Sequence, residues 1–118
     1  MITHPREIQI YYNSESINDR KVIAYAKSTG YVVKSFCHKF APSTSTGWQT
    51  LLEALKVHPK DLMNKADPYY QANIRGKDFE LEGWLSVIMN NPHLIKAPIA
   101  MKGRKAIVCK TPSDIYKL

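Results

Sequence analysis

The sequence predicts an α/β fold that begins with a strand–helix–strand unit, continues through a helical middle and ends with two strands and a helix. Three observations support this order: alternating apolar residues near the start, apolar residues at helical spacing in the middle, and two β-rich runs near the end. A chain of 118 residues has the length of one domain with one hydrophobic core, so we expect a single domain over residues 1–118.

The first unit contains two predicted strands. Residues 7–12 (EIQIYY) alternate apolar and polar side chains, which is typical of a half-buried strand. Residues 31–37 (YVVKSFC) are rich in β-branched and aromatic residues, which favour a strand. Because a helical crossover joins them, we expect the two strands to be parallel.

The predicted crossover helix covers residues 17–28. Ser16 or Asn18 can cap its N-terminus, because a short polar side chain accepts hydrogen bonds from the free backbone N–H groups of the first turn. Gly30 suits the C-terminal end, where the chain commonly adopts a left-handed conformation.

A helical insert is expected over about residues 46–90. Two stretches repeat apolar residues at the spacing of one helix face: Trp48, Leu51, Leu52 and Leu55 in the first, and Leu81, Trp84, Leu85 and Ile88 in the second. Asp78 is the predicted cap of the second helix. Between them, residues 57–78 contain two prolines and one glycine, which favour short helical turns over one long helix.

In the C-terminal part the pattern of apolar residues changes from helical spacing to that of strands. Residues 98–110 (PIAMKGRKAIVCK) predict two short strands around a turn at Lys102-Gly103-Arg104. Residues 111–118 (TPSDIYKL) predict a final short helix, with Thr111 as its cap and Pro112 in its first turn.

The chain is basic, with 17 Lys and Arg against 10 Asp and Glu, a formal net charge of +7 and a pI near 9.5. This charge permits association with nucleic acid or an acidic partner, although the charges are scattered and a solvated basic surface accounts for the pattern. No apolar run approaches the ~20 residues of a membrane span. The first residues contain no apolar signal segment, so we expect a cytoplasmic protein without membrane association.

The cysteines and histidines do not form a recognisable ligand set. The two cysteines, Cys37 and Cys109, match no CxxC or zinc spacing, and the histidines are scattered at His4, His38, His58 and His93. We therefore predict no metal site and interpret the cysteines as small hydrophobic residues.

Four short blocks follow one another along nearly the whole chain: residues 13–21 (NSESINDRK), 58–65 (HPKDLMNK), 91–99 (NPHLIKAPI) and 111–114 (TPSD). They resemble blocks of the glutaredoxin-linked arsenate reductase (ArsC) family and the related Spx-type transcription regulators. There the blocks read N-P-x-C-x-x-S-R or C-x-x-C-R-K, then S-P-R-D-L-L-R-K, H-P-I-L-I-K-R-P-I and R-P-S-E. The resemblance implies a thioredoxin-like fold of glutaredoxin type, with a four-stranded mixed sheet of order 2-1-3-4 and the helical insert between β2 and β3. Pro98 then corresponds to the proline that opens the third strand.

The same register places Ser16 at the position of the family's nucleophilic cysteine. A serine hydroxyl has no thiolate character, and the turn offers only Glu15 as an ionisable neighbour, so we interpret Ser16 as a helix cap. The second cysteine of the Spx-type pair corresponds to Asp19. The family's three oxyanion-binding arginines correspond to Asn64, Ala97, and Thr111 or Lys110.

The resemblance therefore implies a relative that has lost thiol-dependent reductase activity, with no confident catalytic residue and no cofactor. The candidate residues of the site turn and of an anion site are Asn13, Ser14, Ser16, Arg20, Lys96, Pro98 and Lys110. The expected function is binding of a protein partner, as Spx-type regulators bind RNA polymerase, or of a small anion. Nucleic acid is a further candidate partner, although no recognised motif or aromatic platform accompanies the charge.

The alternative is an arsenate reductase-like enzyme that uses Cys37 or Cys109 with glutathione and glutaredoxin. In the implied fold these cysteines lie on opposite edges of the sheet, at least roughly 14 Å apart. That separation excludes a disulfide between them, and we expect neither cysteine to lie beside Ser16.

Overall fold

The computed structural model describes residues 6–37, 45–95 and 98–118. The chain divides into two compact units, one formed by residues 1–42 with 97–118 and the other by residues 43–96. The expectation that they make up one domain stays a prediction. No helix in the described part of the chain has the length and apolar character that a membrane crossing requires.

The first unit is built on a four-stranded mixed sheet. Its strands are β1 (Glu7–Tyr12), β2 (Val32–Cys37), β3 (Ile99–Lys102) and β4 (Lys105–Val108). Their order is β2-β1-β3-β4, with β1 parallel to β2 and antiparallel to β3, and β3 antiparallel to β4. The predicted sheet order and the predicted parallel pair are confirmed.

One face of this sheet is covered by helix α1 (Ile17–Lys27) and by a 3₁₀ helix at Pro112–Lys117. The apolar residues of α1 recur at helical spacing and those of β1 alternate, so each element presents one apolar face to the other. These residues and three from the C-terminal part form one buried cluster: Ile8, Ile10, Val22, Ile23, Ala26, Ala100, Cys109 and Ile115.

The terminal 3₁₀ helix begins as predicted, with Thr111 as the cap residue and Pro112 in the first turn. The carboxylate of Asp114 accepts the backbone N–H groups of Lys110 and Thr111, at 2.9 and 3.1 Å. These bonds satisfy donors that have no partner within the helix, and so fix the start of the segment.

The second unit contains helices α2 (Ser45–Leu55), α3 (Pro68–Asn73) and α4 (Leu81–Asn90), with 3₁₀ turns at Pro59–Leu62 and Pro92–Leu94. The short elements between α2 and α4 confirm the effect predicted for the two prolines. Most residues of the two predicted helix faces are buried: Trp48, Leu51, Leu52, Trp84, Leu85 and Ile88.

The start of α4 differs from the prediction at two positions. Asp78 is not the cap, since Glu80 is the N-cap residue and gives no side-chain hydrogen bond. Leu81 was assigned to the buried face but is 48% exposed. The physical reason is a contact between the rings of Phe79 and Trp84, edge to face at 5.0 Å, which fixes the entry of the chain into the helix.

Candidate functional site

The candidate site is the turn Asn13-Ser14-Glu15-Ser16, which connects the C-terminal end of β1 to α1. Ser16 is the N-cap of α1, and its side chain accepts the backbone N–H of Asp19 at 3.3 Å. The predicted role of Ser16 as a cap is therefore confirmed, and the alternative cap, Asn18, lies within the helix.

The buried side chain of Asp19 connects the two ends of this turn by hydrogen bonds. Its side chain is only 4% exposed. One carboxyl oxygen accepts the backbone N–H of Asn13 at 2.9 Å, and the other accepts the hydroxyl of Ser16 at 3.2 Å. Asp19 was not among the residues expected at the site, although Ser16-x-x-Asp19 has the spacing of a capping box; its carboxyl group accepts the Ser16 hydroxyl and not the Ser16 N–H.

The remaining backbone donors of the turn are largely used within it. The side-chain oxygen of Asn13 accepts the N–H of Glu15 at 3.0 Å, and its carbonyl oxygen accepts the N–H of Ser16 at 3.1 Å. The carbonyl oxygen of Ser16 accepts the N–H of Arg20 at 3.1 Å. An anion that approached this helix N-terminus would therefore meet several N–H groups that already have acceptors, and a buried carboxyl group.

Cys37 contacts the turn through Ser14, a contact that was not predicted from the sequence. Its thiol donates to the hydroxyl of Ser14 at 3.2 Å. The reason is the parallel pairing of β1 and β2, which sets Tyr12 beside Cys37 and brings the ends of both strands to one edge. The thiol is half-buried, and it forms no disulfide, as predicted.

Tyr11 precedes the turn and has a perturbed phenol. Burial, with a smaller contribution from the nearby Cys37, raises the pKa of Tyr11 to about 12. Tyr11 is therefore a neutral phenol at physiological pH and supplies no charge to the turn.

Cys109 belongs to the hydrophobic core and is 1% exposed. Burial is the main cause that raises the pKa of Cys109 to about 12, and the negative charges of Asp114 and Asp19 act in the same direction. At physiological pH this group is a protonated thiol and is not a nucleophile.

The other predicted site residues are dispersed. Arg20 is exposed on α1, and Lys110 is exposed before the terminal 3₁₀ helix. Pro98 is buried, and its carbonyl oxygen accepts the N–H of Cys109 at 2.9 Å. Lys96 and Ala97 lie outside the described residues.

Asn64, which the resemblance sets at the position of a family arginine, is exposed, and its side-chain oxygen accepts the N–H of Ala66 at 3.1 Å. The side-chain amide of Asn64 therefore stabilises the local loop conformation. In the part of the chain that the structure describes, no group of three His, Cys, Asp or Glu side chains could hold a metal ion.

Known proteins with the same architecture are found by sequence and by structure. The sequence model of the ArsC family matches residues 11–118. The uncharacterized protein YfgD of Escherichia coli is 22% identical over 115 residues, which cover 96% of this chain and 97% of YfgD.

Two solved structures share the fold closely. A protein of Yersinia pestis provisionally assigned as an arsenate reductase has a TM-score of 0.87 at 21% identity, with 94% of this chain and 99% of the other covered. An arsenate reductase from Vibrio cholerae has a TM-score of 0.84 at 18% identity, with 94% and 96% covered. These similarities confirm the thioredoxin-like fold, and the chain belongs to the ArsC family.

Proposed function

We propose that this ArsC-family protein has lost thiol-dependent reductase activity and acts by binding a protein partner or a small anion. The observation that carries the proposal is Ser16 at the nucleophile position, with its hydroxyl bonded to the buried carboxyl group of Asp19. A helix cap of this kind is a structural use of the residue.

The chemistry of arsenate reduction supports the loss. Reduction of arsenic(V) to arsenic(III) takes up two electrons, and in the thiol mechanism these come from sulfur atoms that end as a disulfide. The carboxyl group of Asp19 could accept the proton of Ser16, as a base does for a serine nucleophile. The resulting oxygen–arsenic ester would still lack a donor of electrons, so activation of Ser16 leads to exchange of an ester and not to reduction.

The residues that would clamp the oxyanion support the same proposal. Asn64 and Thr111 cannot provide the bidentate, permanently charged contact of a guanidinium group. Arg20 and Lys110 are positively charged and lie close in sequence to the turn at Ser16 and to Thr111, respectively. Weak binding of an anion is therefore compatible with the residues present.

A protein partner is supported by the basic balance of the chain, a formal +7, and by the resemblance to Spx-type regulators. RNA polymerase is therefore the first partner to test. Binding should be measured with purified RNA polymerase, and with inorganic phosphate and arsenate as small anions. Absence of binding to all three would remove the binding half of the proposal.

A second candidate function is a thiol oxidoreductase that uses Cys37 with glutathione as the reducing thiol. The observation that favours it is the contact of the Cys37 thiol with Ser14, within the turn that carries the nucleophile in the family. Cys109 does not support this candidate, because burial keeps it protonated.

Arsenate reduction with glutathione and glutaredoxin separates the two candidates. We expect no turnover by the wild-type protein, measured beside a cysteine-containing ArsC enzyme as positive control. The matched variants are Cys37→Ser and Cys109→Ala. Turnover that is lost in Cys37→Ser and kept in Cys109→Ala would refute the loss of thiol chemistry and establish the second candidate.

A further inference from the structure

We propose that a basic surface around the β3–β4 turn binds single-stranded nucleic acid. This surface, called here the hairpin surface, consists of five residues: Arg6, Tyr31, Lys102, Arg104 and Lys105. The proposal does not depend on the loss of reductase activity, because none of these residues belongs to the turn at Ser16.

The β3–β4 hairpin concentrates three cations. Strand pairing sets Lys102 directly opposite Lys105, and Arg104 lies in the turn between them. Gly103, with φ of +60°, provides the left-handed residue that so short a turn needs. Like charges directly opposite on paired strands destabilise a sheet, so this arrangement is not explained by folding alone.

An aromatic ring lies against these cations. The Lys102 ammonium group donates to the hydroxyl of Tyr31 at 3.0 Å and lies 4.2 Å from the centre of its ring. Tyr31 is nevertheless 38% exposed. Hydrogen bonding and charge from Lys102 lower the pKa of Tyr31, and Arg6 acts in the same direction. Arg6 is close along the sheet, since its carbonyl oxygen accepts the N–H of Val32 at 3.1 Å.

A shallow depression of about 260 Å³ adjoins the hairpin. It is lined by Lys102, Gly103, Lys105 and Leu118. The alkyl stems of the two lysines and the side chain of Leu118 provide apolar walls, and the ammonium group of Lys102 lies over the ring of Tyr31. An apolar recess with cations at its rim suits a nucleobase whose phosphates lie outside it.

The cations of the hairpin lack acidic partners within the described ranges 6–37, 45–95 and 98–118. No carboxylate there forms an ion pair with Lys102, Arg104 or Lys105. The nearest acidic side chain on β1, Glu7, pairs with Lys34 at 3.6 Å. The positive charges of Lys102, Arg104 and Lys105 are therefore available to an external polyanion.

An exposed ring among cations favours nucleic acid over an acidic protein. Single-stranded nucleic acids bind by stacking bases on aromatic side chains while basic residues contact phosphates. An acidic peptide would use the charges but would gain little from Tyr31. The pairing of Tyr31 with Lys102 has no local signal in the sequence, because the two residues are 71 positions apart.

The test is fluorescence anisotropy with labelled single-stranded RNA and DNA of about 12 nucleotides, a length within the 4–16 that compact single-strand sites cover, titrated at several salt concentrations. The charge-reversal variant is Arg104→Glu/Lys105→Glu. Its matched control is Arg75→Glu/Lys77→Glu, which changes the same residue types and the same charge at exposed positions of the other unit. We expect at least a tenfold weaker affinity and a shallower salt dependence for the hairpin variant, and less than a threefold change for the control.

Tyr31→Ala tests the aromatic component. A stacked base contributes about 1–3 kcal/mol, so we expect this variant to bind at least about fivefold more weakly. Thermal unfolding curves establish that each variant is folded, and Arg104→Gln/Lys105→Gln replaces the reversal variant if that one is not.

Three outcomes would overturn the proposal. One is no binding of either oligonucleotide at about 50 mM salt, where phosphate contacts are strong. Another is an equal loss in the hairpin and control variants, which would indicate diffuse charge without a site. The third is tighter binding of polyglutamate with no effect of Tyr31→Ala, which would indicate an acidic protein partner. The arsenate assay decides the proposed loss of activity separately.

Discussion

Removing the negative charge of Asp19 should increase the acidity of a thiol placed at position 16, which the resemblance equates with the family's nucleophile. The perturbation is Ser16→Cys, with and without Asp19→Asn, in a background of Cys37→Ser and Cys109→Ala. The Ser16 hydroxyl lies 3.2 Å from the nearer carboxyl oxygen of Asp19, so a thiolate there would stand beside a like charge.

The magnitude follows from Coulomb's law. At 3.2 Å, two like charges repel by about 1.3 kcal/mol at the dielectric constant of water and by about 5 kcal/mol at an effective dielectric constant of ~20. Because about 1.36 kcal/mol corresponds to one pKa unit, Asp19→Asn should lower the pKa of the introduced thiol by about 1 to 4. The helix N-terminus favours the thiolate in both variants and does not alter this difference.

The assay is the pH dependence of iodoacetamide alkylation of the introduced thiol, followed by mass spectrometry. A second readout is thiolate absorbance in the ultraviolet. Equal pKa values in the two variants, both of them folded, would refute the reasoning that Asp19 controls the electrostatics of the turn.

Three further predictions concern stability and thiol reactivity. Gly83→Ala should destabilise the protein by about 1–2 kcal/mol in denaturant unfolding despite a higher helix propensity, because the new methyl group would lie 2.9 Å from Cβ of Phe79; a stabilised variant would contradict this. Backbone N–H groups and a lysine lower the pKa of Asp114 from 3.8 to about 2, so it contributes stability above pH 4 that is lost between pH 4 and pH 2. Thermal unfolding of Asp114→Asn should therefore depend less on pH in that window than the wild type, and identical profiles would exclude this role. In the native protein at pH 8, iodoacetamide should label the half-buried Cys37 and leave Cys109 unmodified until unfolding, which peptide mass spectrometry measures; rapid native labelling of Cys109 would show that it is not held in the core.

The elements that could be predicted from sequence are those whose signal is local. The alternation of Ile8 and Ile10 identified a strand because one face of the sheet is buried. The spacing of Trp84, Leu85 and Ile88 identified a helix for the same kind of reason. Leu81 fits the same spacing, but the prediction that it is buried was wrong, because the first turn of a helix need not lie over the core.

The contacts that define the candidate site could be predicted less well. A carboxyl group three residues after a cap can bond to several N–H groups, and sequence does not show that Asp19 reaches back to Asn13. The contact between Cys37 and Ser14 joins residues 23 positions apart, and it depends on the register of two strands. Such contacts are products of the tertiary fold, which local patterns do not encode.

The bond between Ser16 and Asp19 also makes the two positions interdependent. A single substitution that introduced sulfur at position 16 would place it beside a carboxyl group, where it would ionise poorly and gain no nucleophilic advantage. A single substitution that removed the carboxyl group would leave the N–H of Asn13 without its acceptor and would gain no chemistry. Neither single substitution therefore yields a reactive thiol at position 16, and the two changes would be needed together.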